Sequence, residues 1–177
     1  MAKSCSFLLV LLFAIHPPSD NQKDKHSEHF GSLVITATAI LAGEEGKTDR
    51  HYVFVFVSIK NTGKKPACAS FSTKLKTTYG LEYATLSPFF DFAELTRLHR
   101  RAHLPNEPKV YEMLPGEQSN GAYVFAVKNG VEPLEMSMKL SGGRGIRCGS
   151  ARDRSFGDVL LTEEVKLDVH DLPAPKN

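Results

Sequence analysis

His51-Tyr-Val-Phe-Val-Phe-Val-Ser-Ile-Lys60 is the stretch whose reading decides the fold. In an extended chain, Tyr52, Phe54 and Phe56 fall on one face and Val53, Val55, Val57 and Ile59 on the other. A run of β-branched and aromatic residues with period two predicts a strand, and apolar residues on both faces predict a central one. Asn61-Thr62-Gly63-Lys64 follows and reads as a hairpin-like turn, because Asn and Gly accept positive φ. A new strand is then expected through Ala67, Ala69, Phe71 and Thr73.

The same period extends outward in both directions. Upstream, Leu33 to Leu41 sets Val34, Thr36, Thr38 and Ile40 against Leu33, Ile35, Ala37 and Ala39, which predicts the first strand. Downstream, a turn at Tyr79-Gly80 leads to a short strand from Leu81 to Leu86. Further strands are expected at Lys109 to Met113, Gly121 to Val127, Leu134 to Leu140 and Val159 to Val169. One region breaks this rhythm. Asp91 and Glu94 are spaced as a capping pair, and Phe92, Leu95, Leu98 and Ala102 recur at helical intervals, so a short amphipathic helix interrupts a long connection. About eight short strands with one helical insertion and no βαβ alternation predict an all-β fold of the two-sheet sandwich kind.

The ends read differently. Lys3 precedes the apolar run Phe7 to Ile15, and His16-Pro17-Pro18 then stops any helix, which is the order of a secretory signal. We therefore expect residues 1–20 to be a signal peptide, with cleavage between about Ile15 and Asn21, and the protein to be secreted, periplasmic or otherwise extracytoplasmic. Residues 21–29 read as a polar linker, 30–170 as the sandwich and 171–177 as a frayed tail. Cys5 precedes the apolar run rather than following it, which argues against a lipoprotein, while membrane association stays open. A net charge of +2, from 22 basic and 20 acidic groups, gives no whole-molecule attraction to nucleic acid, so no nucleic-acid partner is expected.

Two segments resemble a known family. YVFVFVSIKNTGKKPACAS and MLPGEQSNGAYVFAVKNGVEPLEM are similar to the telokin-like bacterial extracytoplasmic domains of unknown function, akin to the secreted immunoprotective antigens. The resemblance rests on Lys60-Asn61-Thr62-Gly63-Lys64, on Leu114-Pro115-Gly116-Glu117, on Gly121 with Phe125, and on Pro133-Leu134. Pro-Gly in the second motif suits a type II turn. The resemblance implies an immunoglobulin-like β-sandwich, export and no assigned activity. The helical insertion and the basic, Gly-rich segment from Ser141 to Asp158 depart from the family pattern.

Candidate functional residues are few. Cys68 and Cys148 are the cysteines outside the leader, and a disulfide between them, permissible after export, would close a loop of about 80 residues and stabilise the fold by roughly 4–5 kcal/mol in the chain-entropy model. The plain alternative is two free thiols. Arg97, Arg100 and Arg101 share one helix face, and Arg144 and Arg147 lie in the Gly-rich segment, so the two clusters are candidates to bind an anionic polymer. The plain alternative is a solvated helix face and a basic loop. His99 and His103 lie one turn apart, and His26 and His29 flank Glu28, but no further ligand completes either pair and no metal is expected. Met136 and Met138 share a sheet face, where core packing is the expected role over a thioether site. No nucleophile elbow, zinc-protease motif or phosphate-binding loop occurs, so no catalytic residue and no cofactor is expected. The leading expectation is a non-catalytic exported interaction domain that presents loops to another envelope or secreted protein. The rivals are a metal or small-ligand carrier and a binder of anionic envelope polymer.

Overall fold

The computed structural model describes residues 25–45, 49–86, 91–102, 105–110, 113–140 and 164–175. Its elements are β1 (Ser27–Phe30), β2 (Leu33–Glu45), β3 (Arg50–Asn61), β4 (Phe71–Thr77), β5 (Glu82–Ala84), α1 (Phe92–Ala102), β6 (Gln118–Lys128), β7 (Pro133–Leu140) and β8 (Glu164–Asp168). They form two four-stranded antiparallel sheets, ordered β1-β2-β3-β6 and β5-β4-β7-β8. The all-β expectation holds at the level of two stacked antiparallel sheets.

β3 is central, as its two apolar faces predict, and each face has its own partner. Val53, Val55, Val57 and Ile59 enter the core between the sheets, with Phe30, Leu75, Phe125, Met136, Met138 and Leu167. Tyr52 and Phe54 form a second cluster on the outer face with Leu98 and Val124, and Leu95, Phe56 and Leu41 pack against it. The amphipathic helix is therefore a third layer rather than an excursion: it covers apolar sheet surface that would otherwise meet water. Met136 and Met138 are fully buried in the main core, in line with the packing role.

Several expectations need correction. The alternation in β2 changes phase at a bulge between Ala37 and Ala39, after which Ile40 opposes Val55 and Leu41 opposes Phe54. Ile40 consequently packs on the main core, away from the face assigned to Val34 and Thr36, and Leu41 lies under the helix, because an extra bulged residue reverses which side chains point inward. The turn after β3 is not a hairpin, since β3 and β4 belong to different sheets and the chain crosses between layers there. Gly63 is required for space rather than for positive φ: a Cβ on it would lie 2.7 Å from the Ser32 Cβ. Of the stretch Lys109 to Met113, the described residues are tied to the segment before β4: the Ala69 N–H donates to the Val110 carbonyl, and Ala67 and Met113 exchange two bonds.

Two turn expectations are met. The Glu117 N–H donates to the Leu114 carbonyl with Gly116 at φ 82°, the geometry of a type II turn. Thr78-Tyr79-Gly80 closes the β4–β5 hairpin as a three-residue loop with Gly80 at φ 77°.

The polar stretch read as linker and the tail read as frayed are in part ordered. Ser27, Glu28 and His29 pair with β2, and the Ser27 and Thr36 hydroxyls bond at 2.9 Å. At the other end, Leu172 packs on the core and the Pro173 carbonyl accepts from the Ile40 N–H. Polar sequence is compatible with an edge strand as long as its backbone finds partners.

Both lateral seams of the sandwich are stitched. On one side Thr85 bridges to Phe125 and the Leu86 N–H donates to the Val124 carbonyl. On the other, the Asp168 N–H donates to the Lys25 carbonyl, joining the last strand to the residues preceding the first.

Candidate functional site

One end of the sandwich gathers the two segments that carry the family resemblance, and Asn61 joins them. Its backbone N–H donates to the Glu117 carbonyl, and its own carbonyl accepts from the Gly116 N–H. Its side chain is fully buried; the amide donates to the carbonyls of Lys65 (2.8 Å) and Met113 (2.9 Å) and accepts from the Gly63 N–H (2.9 Å). The Glu117 carboxylate in turn accepts from the Leu114 N–H at 2.7 Å. One asparagine thus holds the crossover after β3 and the Leu114–Glu117 turn as a unit, with Lys60, Lys64 and Lys65 exposed around it. The chemistry on offer is a braced, basic-rimmed set of loops. Sequence reasoning valued Asn61 only for its conformational freedom; the available signal was an Asn ending an apolar strand, where a buried amide can satisfy crossing backbone groups.

Cys68 is buried three residues before β4, between the bonds of Ala67 to Met113 and Ala69 to Val110, and its side chain is partnered rather than free. Cys148, Arg144 and Arg147 lie outside the described residues.

The helix places Arg97 where sequence reasoning did not foresee. Its guanidinium bonds both oxygens of Glu94, at 2.8 and 3.3 Å, and lies 6.0 Å from the Tyr52 ring centre. Glu94 also accepts from the Tyr52 hydroxyl. Burial first, and then the Glu94 carboxylate, raises the Tyr52 phenol above its ordinary range. Arg97 therefore helps fasten the helix to the outer sheet face, which weakens its standing as an anion ligand. Arg100 and Arg101 belong to α1, and their side chains lie outside the described residues.

Of the two histidine pairs, the side chains of His99 and His103 lie outside the described residues. The His26 Nδ1 faces the Asp168 carbonyl at 2.7 Å, while His29 is exposed on the edge strand. Among the described residues, no group of three or more His, Cys, Asp or Glu side chains is arranged to hold a metal.

The opposite end holds a charged clasp that the sequence pattern did not reveal, since its members are more than 140 positions apart. The Lys25 ammonium contacts Asp171 at 2.7 Å and Asp168 at 3.2 Å. His170 donates its backbone N–H to Asp168, and its ring meets Asp171 at 2.8 Å and Glu132 at 4.0 Å. Asp171 is held below the usual carboxylate range by Lys25 and then His170, and Asp168, despite opposing desolvation, by the His170 N–H and Lys25. Lys25 is raised above 10.5, chiefly by Asp171. Depressed carboxylates stabilise the fold above their unfolded pKa and lose that contribution as pH falls through the folded value; a raised lysine loses its contribution as pH rises past its own. The thermal midpoint of the protein should accordingly exceed that of a Lys25→Ala variant by a constant, salt-sensitive margin between about pH 5 and 9, narrowing below about pH 4 and above about pH 10. A margin unchanged by acid would show that the clasp adds nothing.

Together these features define a class: an all-β two-sheet sandwich with both seams closed, a helix on one outer face and braced loops at one end. Comparison with protein-family models, with curated proteins and with solved structures finds no match to this chain.

Proposed function

We propose that the protein is a non-catalytic, exported interaction domain of the immunoglobulin-like, telokin-like kind, presenting loops from one end of its sandwich to another envelope or secreted protein. The observation that carries this reading is the Asn61 knot, which makes those loops rigid at the cost of a buried polar side chain. Rigid loops lose little conformational entropy on binding, and that is the main energetic advantage of a preformed recognition surface. The two motif segments behind the resemblance meet at this knot, which is consistent with a shared structural role. Expressed with its leader in an exporting bacterial host, the chain should be recovered outside the cytoplasm and shortened at its N-terminus. It should show no hydrolytic turnover that a single substitution abolishes. Retention in the cytoplasm at full length would overturn the export reading, and turnover lost on one substitution would overturn the non-catalytic one.

The Cys68–Cys148 disulfide belongs to the same proposal. Leu140 lies opposite Phe71, so β7 ends beside the β4 start, three residues from Cys68, and Cys148 follows eight residues later, well within reach. The denatured, leader-free protein should take up no thiol reagent before reduction and two equivalents after it. Uptake without reductant would rule the bond out.

A further inference from the structure

Lysines gather where the Asn61 knot holds the chain. Lys60, next to last in β3, lies on the outward face opposite Gln118, and Lys64 and Lys65 belong to the crossover that the Asn61 amide ties at the Lys65 carbonyl. Lys109 donates its backbone N–H to the hydroxyl of Ser119, one residue beyond Gln118, and so borders the same end. All four side chains are exposed, and among the described residues none of them meets a carboxylate. The Glu117 carboxylate, at this end too, is turned to the Leu114 N–H. On the outer face of the second sheet the charges alternate instead. Lys76 sits between Glu82 and Glu135, Lys139 lies opposite Glu164, and Lys74 and Lys166 reach Glu82 and Glu135 at 2.9 and 3.8 Å. That face has no prevailing sign, whereas the Asn61 end is basic.

An apolar side chain stands among these lysines. Leu114 is exposed at 59%, and the residue before it gives its carbonyl to the same amide that binds Lys65. Resting on the reading of these loops as the recognition surface, we infer that the Asn61 end takes an acidic segment of a partner protein. An apolar side chain of that segment packs on Leu114 and Pro115, and its carboxylates face Lys60, Lys64 and Lys65. Lysine ammoniums that lack partners draw a negatively charged chain toward this end and not toward the balanced sheet face. Charge pairs at an exposed rim add little affinity, so the contact that covers Leu114 supplies much of the binding. A polymer with charge alone gains nothing from Leu114, and this favours a protein segment.

The probe is a fluorescein-labelled peptide of glutamates with one central leucine, titrated with the full-length protein and followed by anisotropy. At about 0.15 M salt, where screening acts beyond about 8 Å, the peptide should bind, and more tightly as salt is lowered. Lys64→Glu with Lys65→Glu should weaken it roughly tenfold, while Lys76→Glu with Lys139→Glu should change it far less. Leu114→Ser should weaken it several-fold, as should serine in place of the peptide leucine, and the two changes together should cost no more than either alone. All of these positions are exposed, so unchanged urea midpoints confirm that the variants fold. Inorganic polyphosphate that displaces the peptide, with Leu114→Ser without effect on either, would assign the end to anionic polymer and overturn the protein segment while leaving these loops as the recognition surface. Failure of the peptide to bind would overturn the inference alone. Equal losses from the two lysine pairs would overturn it together with the placing of recognition at the Asn61 loops.

Discussion

An Asn61→Ala chain is expected to lose about 3–5 kcal/mol of stability, read as a fall in the urea midpoint with little change in slope. Alanine removes the two bonds to the Lys65 and Met113 carbonyls and the acceptor for the Gly63 N–H from a fully buried side chain, and leaves the Met113 carbonyl with the Ala67 N–H alone. Each buried group left without a partner costs roughly 1–3 kcal/mol, more than the bond itself contributes, because it has been desolvated without compensation. Against a total of about 5–15 kcal/mol for a domain, that is a large fraction. Asn61→Asp should be no rescue: it keeps the acceptor for Gly63 but turns a carboxylate toward two carbonyl oxygens. A loss below about 1 kcal/mol for the alanine variant would mean that the loops at this end hold without the knot.

Gly121→Ala is expected to be of comparable severity, and for a different reason. A Cβ at this position would lie 2.3 Å from the Asn106 carbonyl oxygen and 2.4 Å from the Pro108 nitrogen, backbone atoms that no rotamer change can move aside. Relief requires displacing the segment around Asn106–Pro108, which would break the Ala122 N–H bond to Asn106 and the Lys109 N–H bond to the Ser119 hydroxyl and uncover Val110. We expect a loss of about 3 kcal/mol or more, with much of the protein insoluble on expression. Gly116→Ala is the control. Its site has open space, so only the cost of φ 82° applies, about 1–2 kcal/mol. Equal effects at the two glycines would show that the Asn106–Pro108 segment yields freely.

The contrast between these glycines bears on what could be read in advance. Gly116 follows proline in a four-residue pattern whose hydrogen bond is local, so its turn was legible. Gly121 is needed because distant backbone passes close by, and Gly63 because the Ser32 side chain does, and nothing next to either in sequence records that approach. Arg97 makes the same point about the candidate site. Its spacing with Arg100 and Arg101 was legible as a basic helix face, but the glutamate one turn away and a tyrosine from β3 claim it in the folded chain.

What the sequence determined by itself was local and periodic. The two apolar faces of Tyr52–Ile59, the helical spacing of Leu95 and Leu98 and the Pro115-Gly116 turn each follow from interactions within a few residues, and each appears where it was expected. Tertiary structure alone decided that the chain crosses sheets after Asn61, that a bulge at Thr38 sends Ile40 inward, and that Lys25 clasps Asp168 and Asp171. Those outcomes depend on which long-range backbone and charged groups meet when the two sheets close, and such meetings leave no period in the sequence to read.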